Sequence, residues 1–206
     1  MIAFILDAAQ KSGLFDVIHV STESLIVRKA VESLGVSIDF MRPLELADDH
    51  TPIMPVMKYV TEKYVSQGKM FDQVWLLMAC APLVDSVDLQ KGAELFDQSG
   101  GKNPVLAISE YPAPIEWAFT RSSDGHITPL QPGMFAVRSQ DIEKKYFDTG
   151  SFSIFPFQNV MDSDGAGSDK GFIGYIIEKG KAIDIDGEAD WILAEAMFKS
   201  LPNIFI

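Results

Sequence analysis

Two aspartates near the end of the sequence, Asp184 and Asp186, have a type and spacing that could support chemistry. They alternate with isoleucines after the apolar run 172–177, which predicts a β-strand with both carboxylates on one face. The pair could be a solvated strand end, a site for a hard cation such as Mg²⁺, or the nucleophile and general acid of a phosphatase. We do not expect the phosphatase, because its pair begins an α/β domain and only 20 residues follow Asp186.

Two arginines could bind an anionic ligand. Arg42 lies in the carboxylate-rich loop 41–51, and a guanidinium can bind phosphate through two parallel hydrogen bonds. Arg138 precedes a strand-like segment and could hold a carboxylate. Taken alone, each arginine is more often part of a turn or a charged loop. We expect no zinc site, because the histidines lack ligand spacing and Cys80 sits in an apolar run.

The composition narrows the classes of partner. The 206 residues are 47% hydrophobic, enough for one core, so we predict a single domain over 1–206. A net charge of -12 argues against a broad nucleic-acid surface, although a small anionic ligand needs only one or two local arginines. A lone cysteine favours a reducing, cytoplasmic setting. The apolar run 74–84 is too short to span a bilayer, and we expect no membrane partner.

Helix and strand patterns alternate along most of the chain. This order predicts an α/β fold with a doubly wound, mostly parallel sheet. A C-cap at Ser12 and Gly13 should end the first helix. The predicted helices are 2–11, 23–34, 55–64, 88–97 and 188–200, and the predicted strands are 17–20, 36–40, 73–79, 105–110, 151–157 and 172–177, with the aspartate pair at a further extended segment.

The stretch 111–150 departs from this alternation, because it is rich in turn residues. We interpret it as an insertion of loops and short strands. A segment of this kind packs poorly on its own. We therefore predict that it contributes to a homodimer.

Six segments, in their order along the chain, resemble the acylneuraminate cytidylyltransferase family, and most closely its pseudaminic acid branch. Any one of them is a weak signal, but the ordered set is specific and covers nearly the whole sequence. The segments are SGLFDVIHVST (12–22), FMRPLELADDHT (40–51), ACAPL (79–83), ISEYPAPIEWA (108–118), RSQDIEKKYFDTG (138–150) and IDIDGEADW (183–191).

The resemblance implies a nucleotide-diphospho-sugar transferase-like fold and a reaction. Members transfer CMP from CTP to a nine-carbon acidic sugar and release pyrophosphate, which makes CTP and that sugar the expected partners and Mg²⁺ the expected cofactor. The implied Mg²⁺ ligands are Asp184 and Asp186, which with Arg42 form the implied catalytic set. The implied nucleotide-binding residues are Ser21, Thr22 and Arg42, and the implied sugar-binding residues are Arg138, Gln140, Tyr146 and Phe152.

One departure from the family bears on activity. Family members open with a strand and a basic, glycine-rich loop that wraps the CTP phosphates, and this sequence shows no such segment ahead of its first helix. We therefore expect little or no turnover from residues 1–206 alone. The alternative is a non-catalytic, truncated or degenerate relative that binds a sugar nucleotide as a dimer. A 3-deoxy-manno-octulosonate cytidylyltransferase is a second alternative, which the segment 138–150 argues against.

Overall fold

A computed structural model describes residues 1–200, in which helices and strands alternate along most of the chain. The helices are α1 (Ile2–Ser12), α2 (Leu25–Ser33), α3 (Ile53–Ser66), α4 (Ser86–Gln98), α5 (Phe157–Met161) and α6 (Glu188–Ser200). The strands are β1 (Gln73–Leu77), β2 (Val105–Glu110), β3 (Phe119–Arg121), β4 (Ile127–Pro129), β5 (Tyr146–Pro156) and β6 (Ile173–Ile176).

The central sheet has the strand order β1-β5-β2-β6. Strands β2 and β6 pair in parallel, whereas β5 runs antiparallel to both of its neighbours. Three of the four strands therefore point in one direction, which confirms the mostly parallel α/β prediction. The strand that the sequence could not orient is β5, which lies at the centre with its direction reversed.

Helices cover both faces of this sheet, as a doubly wound fold requires. In β1, Trp75 and Leu77 pack toward the core cluster that contains residues of α1 and α4, whereas Val74 and Leu76 pack toward α3 and α5. Burial on both faces explains why this strand is apolar without interruption. The continuous apolar run was therefore correctly interpreted as a strand.

Local capping contacts define the C-terminus of α1 and the N-terminus of α4. Gly13 adopts a left-handed conformation with φ 68° directly after α1, as the C-cap prediction requires. Helix α4 begins with a capping box, in which the Asp85 side chain accepts from the Asp88 backbone N–H and the Asp88 side chain accepts from that of Asp85. Both ends depend on contacts between residues a few positions apart, which a sequence displays directly.

Two predicted strands, 17–20 and 36–40, are wrong, because neither segment joins a sheet within residues 1–200. A strand exists only where a neighbour accepts its ladder of hydrogen bonds. The segment 182–186 is likewise outside the sheet, so Asp184 and Asp186 follow β6 on an irregular stretch and not on a strand. Alternating hydrophobicity predicted strands at these segments, but this pattern does not show whether a neighbouring strand is available to pair with them.

The segment 111–145 confirms the expected loops and short strands, with β3 and β4 forming a separate hairpin. The predicted end of the insertion at residue 150 is wrong, because Tyr146–Gly150 belongs to β5 of the central sheet. Among residues 1–200, no helix is both long enough and apolar enough to cross a bilayer.

Candidate functional site

The most distinctive polar cluster lies at one edge of the central sheet. The carboxyl ends of β1, β2 and β6 meet there, together with the first residues of the reversed strand β5. In open α/β sheets, ligands bind in the crevice outside the carboxyl ends of the strands. The residues that follow these strand ends are therefore the candidates for ligand binding.

A bulge in β5 shapes this edge. The register between β2 and β5 shifts between Leu106, which pairs with Ser153, and Ile108, which pairs with Asp148. Gly150, within the bulged stretch of β5, has φ 59°. The Thr149 hydroxyl donates to the carbonyl of Ala107 at 2.9 Å, and the Asp148 carboxylate accepts from the Gly150 N–H at 2.9 Å. Bulges of this kind redirect the backbone next to binding sites. Here the bulge brings the backbone of residue 150 toward the segment that carries Asp184.

Asp184 lies directly against this bulge. A Cβ placed on Gly150 would be 2.7 Å from Oδ2 of Asp184, so the carboxylate occupies the space that any larger residue would need. The half-buried thiol of Cys80, 3.9 Å from the Gly150 carbonyl oxygen, lies in the same cluster. Burial raises the pKa of this thiol to about 11, with further contributions from its hydrogen bond to Asp184 and from the charge of that carboxylate.

Asp186 is held at the start of α6. The Asp190 side chain accepts from the backbone N–H of Gly187 at 2.9 Å and from that of Asp186 at 3.3 Å. Asp184 and Asp186 are both exposed to solvent. Two carboxylates fit Mg²⁺, which is usually bound in proteins by one or two carboxylates together with water and substrate phosphates. Within residues 1–200, no group of three or more His, Cys, Asp or Glu side chains could hold a metal.

A buried ion pair anchors the segment that leads to these aspartates. Lys181 is 8% exposed, and its Nζ lies 2.6 Å from Oδ2 of Asp85 and 2.7 Å from Oδ2 of Asp88. Tyr175 donates to Asp88 at 2.9 Å. Burial alone would lower the pKa of Lys181, but the two carboxylates outweigh it and raise that pKa. This network could not be predicted from the sequence, because its members come from β6, the loop after β6 and the start of α4, which are far apart in the chain.

The predicted nucleotide-side residues form a second group. The Arg42 backbone N–H donates to the Thr22 carbonyl at 2.9 Å, and Ser21 adjoins Thr22 in the chain. The Arg42 guanidinium pairs with Glu23 at 2.8 Å and contributes to a lowered pKa of that carboxyl, whose largest cause is its own backbone hydrogen bond. The Ser21 hydroxyl and Nε of Arg42 are buried without a hydrogen-bond partner among residues 1–200. The structure therefore brings all three predicted residues together.

Both Ser21 and Arg42 line a cavity of about 570 Å³ between the segment 14–21 and the strand β1. His19 also lines it, and its Nδ1–H donates to the Tyr64 hydroxyl at 3.1 Å, while that hydroxyl donates to Asp39 at 3.0 Å. Burial lowers the pKa of His19 to about 4, although the charge of Asp39 acts in the opposite direction. The imidazole is therefore neutral at ordinary pH.

The predicted sugar-side residues separate into two sets. Arg138 and Gln140 are exposed on a short 3-10 turn of the 111–145 segment, and Tyr146 is exposed at the start of β5. Phe152 is a correction: it is 2% exposed and stacks on Trp75 in the core, with ring centroids 5.9 Å apart. A side chain buried in this way cannot contact a sugar.

Proteins similar in sequence to this chain include a cytidylyltransferase and a flagellin modification protein. No family model matches the chain. The chain is 26% identical to a pseudaminic acid cytidylyltransferase of Campylobacter jejuni, over 97% of this chain and 85% of that protein. It is 30% identical to the post-translational flagellin modification protein B of Campylobacter coli, over 97% and 84%.

A solved structure confirms the fold. The structure of CMP:2-keto-3-deoxy-manno-octonic acid synthetase complexed with CTP matches with a TM-score of 0.63 at 12% identity, over 96% of this chain and 88% of that one. At this level of identity the match establishes architecture alone. The predicted nucleotide-diphospho-sugar transferase-like fold is therefore confirmed, whereas the roles of individual side chains remain predictions.

Proposed function

The chain belongs to the acylneuraminate cytidylyltransferase family, and from that premise we propose that it transfers CMP from CTP to a nine-carbon sialic-acid-like sugar. Pseudaminic acid is the favoured acceptor, because a pseudaminic acid cytidylyltransferase matches over 97% of this chain. In this reaction a sugar hydroxyl attacks the α-phosphorus of CTP and pyrophosphate leaves. The protein has to orient two anionic substrates and offset their charge, with little covalent chemistry of its own.

One observation carries the proposal: Asp184 is held against the Gly150 bulge at the edge of the sheet, two residues before the exposed Asp186. These two carboxylates would hold Mg²⁺, which when bound supplies positive charge to the triphosphate. Lys181 keeps the approach to this segment fixed against α4. The Gly150 contact and the Lys181 ion pairs support a defined position for the segment that carries the two aspartates.

Ser21, Thr22 and Arg42 would contact the nucleotide. The Ser21 hydroxyl has no partner within the described residues and can donate to a phosphate or ribose oxygen. The Arg42 guanidinium is held by Glu23, so an incoming phosphate would compete with that carboxylate. On the acceptor side, Arg138 and Gln140 are exposed, and Arg138 can bind the sugar carboxylate through two hydrogen bonds.

The test is a pyrophosphate-release assay with CTP, Mg²⁺ and pseudaminic acid, with the CMP-sugar identified by mass spectrometry. Radiolabelled CTP and long incubations make the assay sensitive to slow turnover. We expect Asp184→Asn and Asp186→Asn to abolish product formation. The exposed carboxylate Asp169, outside this cluster, supplies the matched control Asp169→Asn. Turnover that survives in both aspartate variants would contradict the proposal.

A second function, binding of a sugar nucleotide without turnover, is favoured by the ion pair between Arg42 and Glu23. That pair neutralises the arginine placed nearest the predicted nucleotide side. Titration calorimetry with CTP and Mg²⁺ separates the two functions, since binding without product formation supports the second. Glu23→Gln should then tighten CTP binding, because it frees the guanidinium for the phosphates.

We also propose a homodimer built around 111–150, and a cytoplasmic location consistent with the single unpaired cysteine. The hairpin region exposes Leu130 and Phe135, whose relative exposures are 62% and 72%. Light scattering at micromolar concentration should give twice the chain mass of 22.8 kDa. Leu130→Glu should yield a monomer, whereas the similarly exposed control Leu25→Glu on α2, where Leu25 is 65% exposed, should not.

A further inference from the structure

Glu116 is a buried carboxylate with one oxygen that has no partner. The residue is 8% exposed, and its Oε2 has no hydrogen-bond partner among residues 1–200. It lies on the short 3-10 turn Ile115–Trp117, which follows the carboxyl end of β2 in the chain. A buried carboxylate that lacks a cation or a hydrogen-bond donor costs free energy. An unpaired oxygen of this kind indicates a donor that another molecule supplies.

Hydrogen bonds fix this turn to the segment that carries Arg138. The indole Nε1 of Trp117 donates to the carbonyl oxygen of Met134 at 3.0 Å and to that of Val137 at 3.2 Å. Val137 directly precedes Arg138, which is predicted to hold the sugar carboxylate. The neighbour of Glu116 in the chain therefore sets the position of the turn relative to this predicted sugar-binding residue.

A second connection leads from Glu116 to Tyr146. The pKa of Lys145 is raised, chiefly by its hydrogen bond to Glu143 and to a smaller extent by the charge of Glu116, so the two side chains lie near each other. Lys145 directly precedes Tyr146, a further predicted sugar-side residue. Glu116 is thus connected to the residues immediately before both Arg138 and Tyr146.

The nearby lysine leaves the unpaired oxygen of Glu116 free. Lys145 pairs instead with Glu143, whose side chain is 84% exposed. An ionised carboxylate only accepts hydrogen bonds, so the missing partner has to be a donor. A phosphate or a second carboxylate would be repelled by the like charge. The chemistry at Oε2 therefore fits a neutral hydroxyl or amide N–H group.

On the basis of the function proposed above, we propose that Glu116 determines acceptor specificity, and that its Oε2 accepts a hydrogen bond from a hydroxyl or amide N–H group of the sugar. Arg138 would hold the sugar carboxylate and Glu116 a neutral donor, so two groups of opposite charge would orient one acceptor. A sugar without that donor would leave a buried carboxylate unpaired. Sites built in this way discriminate strongly against such analogues.

The nucleotide is a poorer candidate for this contact. Its triphosphate is anionic, and a further carboxylate would repel it. The predicted nucleotide-binding residues also lie on other segments of the chain, where the Arg42 backbone bonds to Thr22 and the Arg42 guanidinium pairs with Glu23. We therefore assign Glu116 to the acceptor side of the site.

The test measures the binding of pseudaminic acid to chain 1–206 by a nuclear magnetic resonance titration, which does not require turnover. Glu116→Met removes the acceptor oxygens and should weaken binding about 100-fold, because a hydrogen bond to a charged group is lost. Glu116→Gln keeps a carbonyl acceptor and should lose about tenfold. Glu143→Met is the matched control, since it removes an exposed carboxylate that pairs with the same lysine, and it should bind like the wild-type chain.

Acceptor analogues identify the donor group. In each analogue, one hydroxyl is replaced by hydrogen or one amide nitrogen is methylated. One analogue should bind the wild-type chain about 100-fold more weakly than pseudaminic acid does. The same analogue should bind Glu116→Met as well as pseudaminic acid binds that variant, because the contact is already lost.

Urea unfolding separates this role from a structural one. Glu116→Met should be at least as stable as the wild-type chain, because it replaces a buried carboxylate with an apolar side chain of similar length. A marked loss of stability in this variant would instead assign Glu116 a structural role and overturn the proposal.

Three further results would overturn it. They are equal affinity for pseudaminic acid in Glu116→Met and the wild-type chain, weaker CTP binding in that variant, and a changed mass by light scattering, which would place the carboxylate in a contact between copies. If the wild-type chain does not bind pseudaminic acid, both the proposed function and the role of Glu116 are wrong. Binding without product formation would contradict the transfer reaction alone.

Discussion

The carboxylate of Asp184 lies in the space where a side chain on Gly150 would begin. A Cβ at residue 150 would be 2.7 Å from Oδ2 and 3.2 Å from Cγ of Asp184. Gly150 also has φ 59°, which disfavours other residues. The bulge in β5 therefore accepts this carboxylate only because residue 150 is glycine. Gly150 ends the matching segment 138–150, but the sequence alone indicated no role for it.

Gly150→Ala is expected to destabilise the protein and displace Asp184. Strain in the left-handed region should cost about 1–2 kcal/mol, and the clash should add to it. Gly165→Ala is the matched control, since Gly165 has φ 54° and nothing within 4 Å of its Cβ position. Urea unfolding measures the stability of both, and calorimetry measures CTP binding with Mg²⁺. Equal losses in the two variants would mean that the contact with Asp184 is unimportant.

Cys80 is expected to react slowly with iodoacetamide. With a pKa of about 11, its thiolate fraction at pH 8 is far below that of an ordinary thiol, so alkylation should be about 100-fold slower than for a free cysteine. Asp184→Asn should raise the rate several-fold, because it removes a nearby negative charge. Asp169→Asn should not change it. Mass spectrometry over time gives the rates, and an unaltered rate in Asp184→Asn would place that carboxylate away from the thiol.

Lys181→Met should destabilise the fold by about 3–5 kcal/mol, because it leaves two carboxylates without their buried cation. Lys179→Met is the comparison, since that lysine is 59% exposed and pairs with Glu110 at the surface. Its loss should cost no more than about 1 kcal/mol. Denaturant midpoints distinguish the two. Similar midpoints would show that the Lys181 network contributes little to stability.

Stability should fall as the pH is lowered from about 6.5 toward 4. Burial lowers the pKa of His19 from 6.5 to about 4 in the folded state. In this range the unfolded chain binds a proton at this histidine and the folded chain does not, so acid favours unfolding. The contribution is fully present above pH 6.5 and is lost as the pH falls through the folded pKa.

The variant His19→Gln should make the unfolding free energy less dependent on pH across this range. His126→Gln serves as the control, because the His126 side chain is 86% exposed. Unfolding curves at half-unit intervals between pH 7 and 4.5 provide the measurement. A pH dependence that is unchanged in His19→Gln would assign the acid sensitivity to other groups.

Features that are determined by residues close together in the chain could be predicted from the sequence. The bounds of β2 and α6 were predicted exactly, and the Gly13 cap was found because the signal is local. The strands 17–20 and 36–40 were wrong, because pairing depends on a partner elsewhere. The reversal of β5 was missed for the same reason, since strand direction is a property of the assembled sheet.

The same distinction, between what the sequence displays and what depends on distant contacts, applies to the site residues. The structure places Ser21, Thr22 and Arg42 together, as the ordered segments implied. Phe152 was assigned to the sugar side by the resemblance alone, and in the structure its ring is buried and stacks on Trp75. Lys181 was missed because a single lysine does not show that it will be buried between carboxylates.

The position of β5 in the sheet has a consequence for synthesis of the protein. Strand β5 lies between β1 and β2, yet it comes after both in the chain, at Tyr146–Pro156. On the ribosome, β1 and β2 emerge without the strand that joins them, so their edges stay unpaired until residue 156 has left the exit tunnel. Chain segments in this state are prone to aggregate. We expect slow translation before β5 has left the exit tunnel to lower the yield of folded protein, whereas a pause after β5 has left the tunnel should not.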